Sequence, residues 1–139
     1  MKQKFFDLII KTSGQRLYEI TNQTTEWIKK NNFKNGILNL SIQHTSASLI
    51  VQENTDPDVQ KDLIRYFDKL VPMTEKLYAH SIEGTDDMPA HIKSALTNNQ
   101  ILLSVKNSNL ILGTWQGIYL FEHRLKNHRR TVLCHYIGN

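Results

Sequence analysis

The sequence predicts an α+β fold, a mostly antiparallel β-sandwich or partly closed barrel with about three flanking helices. Three observations lead there. Many short apolar or alternating runs are separated by Gly, Asn and Ser turn signals. A few other segments carry helix starts and helical spacing instead. Strands and helices do not alternate regularly, which argues against the parallel sheet of an α/β protein. A chain of 139 residues suits a single domain over 1–139 with one core.

Residues 4–11 alternate loosely and meet a turn at Ser13-Gly14, and Leu17 to Ile20 reads as a second, hairpin-related strand. Asn22 to Thr25 offer capping side chains before Trp27 and Ile28, so a helix is expected over 23–31. Asn35-Gly36 turns the chain into a strand over 37–44, where Leu38, Leu40, Ile42 and His44 share one face. "SLIVQE" reads as its partner strand. Asp56 can cap and Pro57 can open a helix over 57–70, with Val59, Leu63, Phe67 and Leu70 as its buried stripe. Pro89 opens a third helix, which places His91 in the first turn and Ile92, Ala95 and Leu96 inward. "ILLSVK", "LIL", 115–123 and 130–137 complete the strands, the first two joined at Asn107-Ser108-Asn109 and the last two by a hairpin turn. On 115–123, Trp115 and Tyr119 oppose Gln116, Ile118, Leu120 and Glu122. That strand is therefore apolar on both faces, and is central or covered by another subunit.

Apolar residues make up 40% and charged residues 22%, a lean core for a short chain, so an oligomer is expected. The net charge of +4 is scattered except for "RLKNHRR" at 124–130, which reads as a solvated hairpin turn or, more sharply, as an anion or nucleic-acid contact. Without interleaved aromatics or a binding motif, nucleic acid is not expected as a partner. No run approaches the ~20 apolar residues of a membrane span. The N-terminal apolar run carries Asp7 and lacks a small-residue cleavage site, so a soluble, cytoplasmic protein is expected. Cys134 is the single cysteine and reads as an inert core thiol.

The chemistry concentrates in "HSIEGTDDMPAH" at 80–91, which has too few apolar residues to bury as a core element. One reading is a loop and a helix capped by Asp86 and Asp87. The other adds His44 from the strand end: His44, His80 and His91 would be three neutral imidazole ligands for a divalent ion such as zinc, with an open position left over. Glu83, Asp86 and Asp87 would orient the rings. Glu122 and Arg130 each end an apolar row at the turn between the last two strands. They form either a structural ion pair or a pair in which Glu122 orients Arg130 toward a phosphate or carboxylate.

"HTSASLIVQENTDPDVQKDL", "HSIEGTDDMPAHIKSAL" and "LILGTWQGIYLFEHR" together resemble the signature segments of the YjbQ family, the secondary thiamine-phosphate synthase family, from about residue 37 onward. The resemblance implies a compact β-rich fold, a homotrimer, and a histidine-containing pocket often associated with a metal. It also implies weak coupling of a pyrimidine diphosphate to a thiazole phosphate, incidental or not. His44, His80, Asp87, His91, Trp115, Gln116 and Glu122 fall within the matching segments and Arg130 follows them; metal binding is expected of His44, His80 and His91, and catalysis of Glu122, Arg130 and Asp87. Binding of a phosphate-bearing ligand falls to Arg130, Gln116 and Trp115. Asn107-Ser108-Asn109 and "KNH" replace turns that tend to hold glycine in the family.

Overall fold

The computed structural model describes residues 1–139. Eleven elements follow in the order β1 (Lys2–Ser13), β2 (Arg16–Glu19), α1 (Thr21–Lys30), β3 (Gly36–Ile42), β4 (Ala47–Glu53), α2 (Pro57–Leu70), α3 (Asp87–Leu96), β5 (Gln100–Lys106), β6 (Asn109–Leu110), β7 (Gln116–Glu122) and β8 (Asn127–Gly138). The fold is the expected α+β class. One sheet has the order β1-β8-β3-β5-β6 and the other β2-β7-β4, and every ladder is antiparallel.

The pairing differs from the expected hairpins. β1 and β2, β3 and β4, and β7 and β8 are each consecutive in the chain, yet each pair is divided between the two sheets. Their connections cross from sheet to sheet, because each strand has one strongly apolar face that must meet the other sheet. Leu8, Ile10, Leu38, Leu40, Ile42, Leu103, Val132, Cys134 and Tyr136 face Ala47, Leu49, Ile118 and Leu120 in one core. β7 is central in its sheet, as its two apolar faces require. Its other face, Tyr119 and Phe121, joins Leu17 and is covered by Leu63, Ile64 and Phe67 of α2.

The helices correct the sequence reading in detail. α2 matches its expected span, and Asp56 Oδ1 accepts the Asp58 amide at 2.9 Å with Pro57 in the first turn. Leu70, however, is 53% exposed, because α2 lies on the surface and presses only its middle onto β7. α1 begins at Thr21 with no side-chain cap; the Thr24 hydroxyl donates instead to the Ile20 carbonyl. α3 begins at Asp87, so His91 lies one full turn further on, and Pro89, Ala90 and Lys93 are buried while Ala95 and Leu96 are exposed. Asp86 makes no side-chain cap bond. The Asn107-Ser108 turn has φ of 51° and 61°, the left-handed pair that a two-residue hairpin needs.

Two buried polar groups stand out. Glu122, fully buried on β7, takes Arg130 Nη2 on Oε1 at 2.6 Å and Arg130 Nε on Oε2 at 2.7 Å. The Thr12 hydroxyl and the Arg124 amide complete its shell. Burial alone would raise its pKa; the Arg130 guanidinium, the Thr12 hydroxyl and the Arg124 amide outweigh that and hold it below the usual carboxylate value. Arg130 and Arg124 are buried as well, so the ends of 124–130 are not solvated, while Leu125, Lys126, Asn127 and Arg129 between them are exposed as expected; the segment joins two sheets rather than one hairpin. The second group is His123, also fully buried, with Nε2 on the Ser48 hydroxyl at 2.9 Å and Nδ1 unpartnered. Burial, then the nearby Lys93 charge, lowers its pKa to about 3. Cys134 is a core thiol as expected, pushed up to about 12 by burial.

Two outcomes follow. Glu122→Ala leaves Arg130 buried without its carboxylate and is expected to cost about 3–5 kcal/mol in urea denaturation at pH 7. A loss under about 1 kcal/mol would contradict the buried link. His123 takes up a proton in the unfolded chain near pH 6.5 but in the folded chain only near 3. Its contribution is therefore present above about pH 6.5 and is lost as pH falls toward 3, by up to ~1.4 kcal/mol per pH unit. His123→Phe should flatten that part of the stability curve, and an unchanged slope would contradict the assignment.

Candidate functional site

At one end of the sandwich the β3–β4 connection, the loop into α3 and the start of β8 enclose a cleft of about 480 Å³. Its eleven lining residues include no hydrophobic one. Gln43, His44, Thr45 and Ser46 come from the β3–β4 connection. His80, Glu83, Asp87 and His91 come from the loop and α3, Arg124 from the last sheet-to-sheet crossing, and His128 and Arg130 from the start of β8.

Asp87 is the centre of one wall. Its side chain is 2% exposed, and Oδ1 accepts Arg124 Nη1 at 2.6 Å while Oδ2 meets His80 Nε2 at 2.7 Å. His91 Nε2 lies 3.5 Å from Oδ1, on the same helix face one turn along. Arg124 reaches further, with Nε on Asp86 Oδ2 at 2.9 Å and Nη2 on the Glu83 carbonyl at 3.0 Å. One guanidinium thus ties the end of β7 to the first turn of α3 and the loop before it. Burial acts to raise the Asp86 pKa, but the Leu125 amide and the Arg124 side chain lower it overall.

His80, Asp87 and His91 each present a donor atom, and all three atoms lie within 4.8 Å of one another. His91 Nδ1 is 3.0 Å from the Thr45 carbonyl, which can only accept, so Nδ1 carries a proton and Nε2 is the ring atom turned toward Asp87. This is the arrangement that prepares an imidazole as a metal ligand. The donor chemistry, two imidazoles and a carboxylate with water access, fits a zinc-like ion with one open position.

The structure brings five of the eight sequence-assigned residues to the cleft: His44, His80, Asp87, His91 and Arg130. His44 stands outside the three-donor cluster, and Asp87 takes the third place there. The His44 Nε2 accepts the Thr131 amide at 2.8 Å. Glu122 lies behind the cleft, holding Arg130. Trp115 and Gln116 sit at the other end of β7, six residues away, about 20 Å at strand rise. Trp115 is 58% exposed, and Gln116 Oε1 accepts the Gly113 amide to close the preceding turn.

Sequence reasoning misses Ser46 as a site residue, and it reaches Arg124 and His128 only as members of the basic 124–130 run. Arg124 carries a signal: it continues the apolar run "GIYLFEH" without a turn residue between, and a charge in that position must find a buried partner. Ser46, whose hydroxyl and carbonyl take Arg130 Nη2 at 3.0 and 3.3 Å, carries none.

The UPF0047 protein YjbQ-like family matches residues 7–139 of this chain. A UPF0047 protein of Synechocystis is 46% identical over 131 residues, covering 94% of this chain and 89% of its own. UPF0047 protein YjbQ of Escherichia coli O157:H7 is 42% identical over 134 residues, covering 95% and 94%. Among solved structures, a YjbQ/UPF0047 protein of Clostridium acetobutylicum superposes with a TM-score of 0.86 at 31% identity, covering 95% of this chain and 99% of that one. A conserved hypothetical protein of Thermus thermophilus superposes at 0.82 with 30% identity, covering 92% and 97%. With a family match over nearly its whole length and relatives this similar, the chain belongs to the UPF0047 (YjbQ-like) family.

Proposed function

We propose that the protein is a small-molecule enzyme whose cleft binds a phosphate-bearing ligand beside a divalent ion held by His80, Asp87 and His91. The observation that carries this reading is one cleft with two complementary walls. One wall is the three-donor cluster. The other is Arg130, whose Nε and Nη2 are committed to Glu122 and Ser46 while Nη1 makes no bond within the chain. A guanidinium held this way meets an anion without first losing its own freedom, so the cost of ordering it at binding is small. A divalent ion in the cluster would act as a Lewis acid toward the bound anion. Asp87 would hold His80 and Arg124 in place, and Glu122 would orient Arg130.

The coupling of a pyrimidine diphosphate to a thiazole phosphate falls within this proposal, because a departing diphosphate needs cationic help from groups such as Arg130. One observation favours the second reading, a homotrimeric metal- and ligand-binding protein whose synthase activity is incidental. No hydrophobic side chain lines the cleft, so flat rings find no apolar wall in a single chain and only imidazole rings beside them. Trp115 could supply one only from a neighbouring subunit. The exposed Trp115, Leu102 and Ile111 support the homotrimer.

Four measurements test these readings. Metal analysis of protein purified without chelators or a metal-binding tag should find about one divalent ion per chain. After stripping, His80→Ala and His91→Ala should each bind zinc at least about tenfold more weakly than wild type. Equal affinity in both variants would remove the metal site. In a product assay with the two phosphorylated precursors, turnover lost in Asp87→Asn supports the enzyme, and no turnover in metal-loaded wild type favours the binding protein. Light scattering should give three times the chain mass of 16.2 kDa, and a monomeric mass at micromolar concentration would refute the trimer.

A further inference from the structure

His44 has a bonding pattern that the other cleft histidines do not share. Its Nε2 faces a backbone N–H, that of Thr131, at 2.8 Å. A backbone amide can only donate, so Nε2 must be the acceptor and the ring proton must sit on Nδ1. His91 uses its ring the other way round: Nδ1–H is spent on the Thr45 carbonyl and Nε2 is turned toward Asp87 Oδ1 at 3.5 Å. Single backbone groups thereby fix which ring nitrogen each of two cleft histidines turns elsewhere, Nδ1–H in His44 and Nε2 in His91.

The Nδ1–H of His44 makes no hydrogen bond within the chain and is not among the buried atoms that lack a partner, so it is open to solvent. His44 lines the main cleft and also a smaller neighbouring one of about 300 Å³, which it shares with Thr45, His91 and Ser94. We propose that His44 is a fixed neutral hydrogen-bond donor to the anionic ligand of the cleft, acting through Nδ1–H, and is not a metal ligand. The assignment rests on the anion-binding reading above and adds to it the residue that recognises an anionic oxygen between Arg130 and the three-donor cluster.

Three features agree with it. Protonating Nε2 would set two donors face to face against an amide that belongs to β8 and cannot turn away, so the neutral ring is held by the fold. Ligation through Nδ1 would need the loss of the proton that the Thr131 amide keeps there. Burial, and after it the Arg130 charge, lowers the His44 pKa, which favours the same neutral form.

The test has two arms on the full-length chain. In the first, two-bond proton–nitrogen correlation spectra of ¹⁵N-labelled, metal-stripped protein are recorded at pH 7, with the His44 signals identified by their absence in His44→Asn. The expected pattern is the Nδ1–H tautomer; an Nε2–H tautomer or an imidazolium overturns the proposal. In the second, inorganic phosphate is titrated into zinc-loaded protein, and zinc into stripped protein, by calorimetry. His44→Ala should bind phosphate about tenfold more weakly, the loss expected for one hydrogen bond to a charged group, with zinc affinity within twofold of wild type. His44→Asn keeps an N–H near the Nδ1 position and should recover part of the phosphate affinity. Loss of zinc binding in His44→Ala comparable to that in His91→Ala would make His44 a ligand and overturn the proposal. If wild type binds phosphate and a folded His44→Ala binds it equally well, the His44 assignment alone falls. If wild type binds no phosphate, the anion reading falls and takes the donor role with it.

Discussion

The Glu122–Arg130 pair links the two sheets at the end where the cleft opens. Each residue completes an apolar row of its own strand, and each would be an isolated buried charge without the other. Together they form a two-bond fork, and Thr12, Ser46 and the Arg124 amide occupy much of the remaining hydrogen-bonding capacity. Such a pair adds modest net stability compared with apolar residues of the same shape, but breaking it is costly. Its larger effect here is geometric. It brings the start of β8, with His128, to the end of β7, and the crossing between them carries Arg124 to the cleft.

Arg124 extends that order outward. Its guanidinium joins Asp86, Asp87 and the Glu83 carbonyl, so the loop before α3 is anchored to the sandwich by charge rather than by apolar packing. A segment with so few apolar residues has no other means of docking. The same carboxylate, Asp87, then stands against His80 and His91. The acids of 80–91 thus anchor the loop and shape the cleft at once, which accounts for their density in that stretch. Beneath α3, His123 and Ser48 form a second buried polar layer, with Thr97 Oγ1 donating to the Ser48 hydroxyl at 2.6 Å.

The α+β class, the span of α2, the central place of β7, the core role of Cys134 and the Glu122–Arg130 pairing are all legible in the sequence. Each depends on alternation, helical spacing or a cap, and these act over a few residues. Strand pairing is not legible. Short links between strands look like hairpins, yet three of them cross between sheets, because the burial of whole apolar faces outweighs the local preference of a turn. α3 starts two residues before Pro89 for a related reason. Arg124, far away in sequence, holds Asp86 and Asp87, and the helix begins where they are held rather than where Pro89 alone would put it.

For the cleft the division is sharper. The sequence alone determined which residue types were available: histidines at strand and loop ends, paired acids, and arginines beside an apolar strand. It also determined the family, through long matching segments. Only the tertiary structure decided that His80 and His91 share Asp87, that His44 faces the Thr131 amide, and that Trp115 and Gln116 lie at the far end of their strand. The physical reason is that a ligand cluster or a ring tautomer depends on contacts of about 3 to 5 Å between residues dozens of positions apart. Such contacts exist only after two sheets have closed on one core.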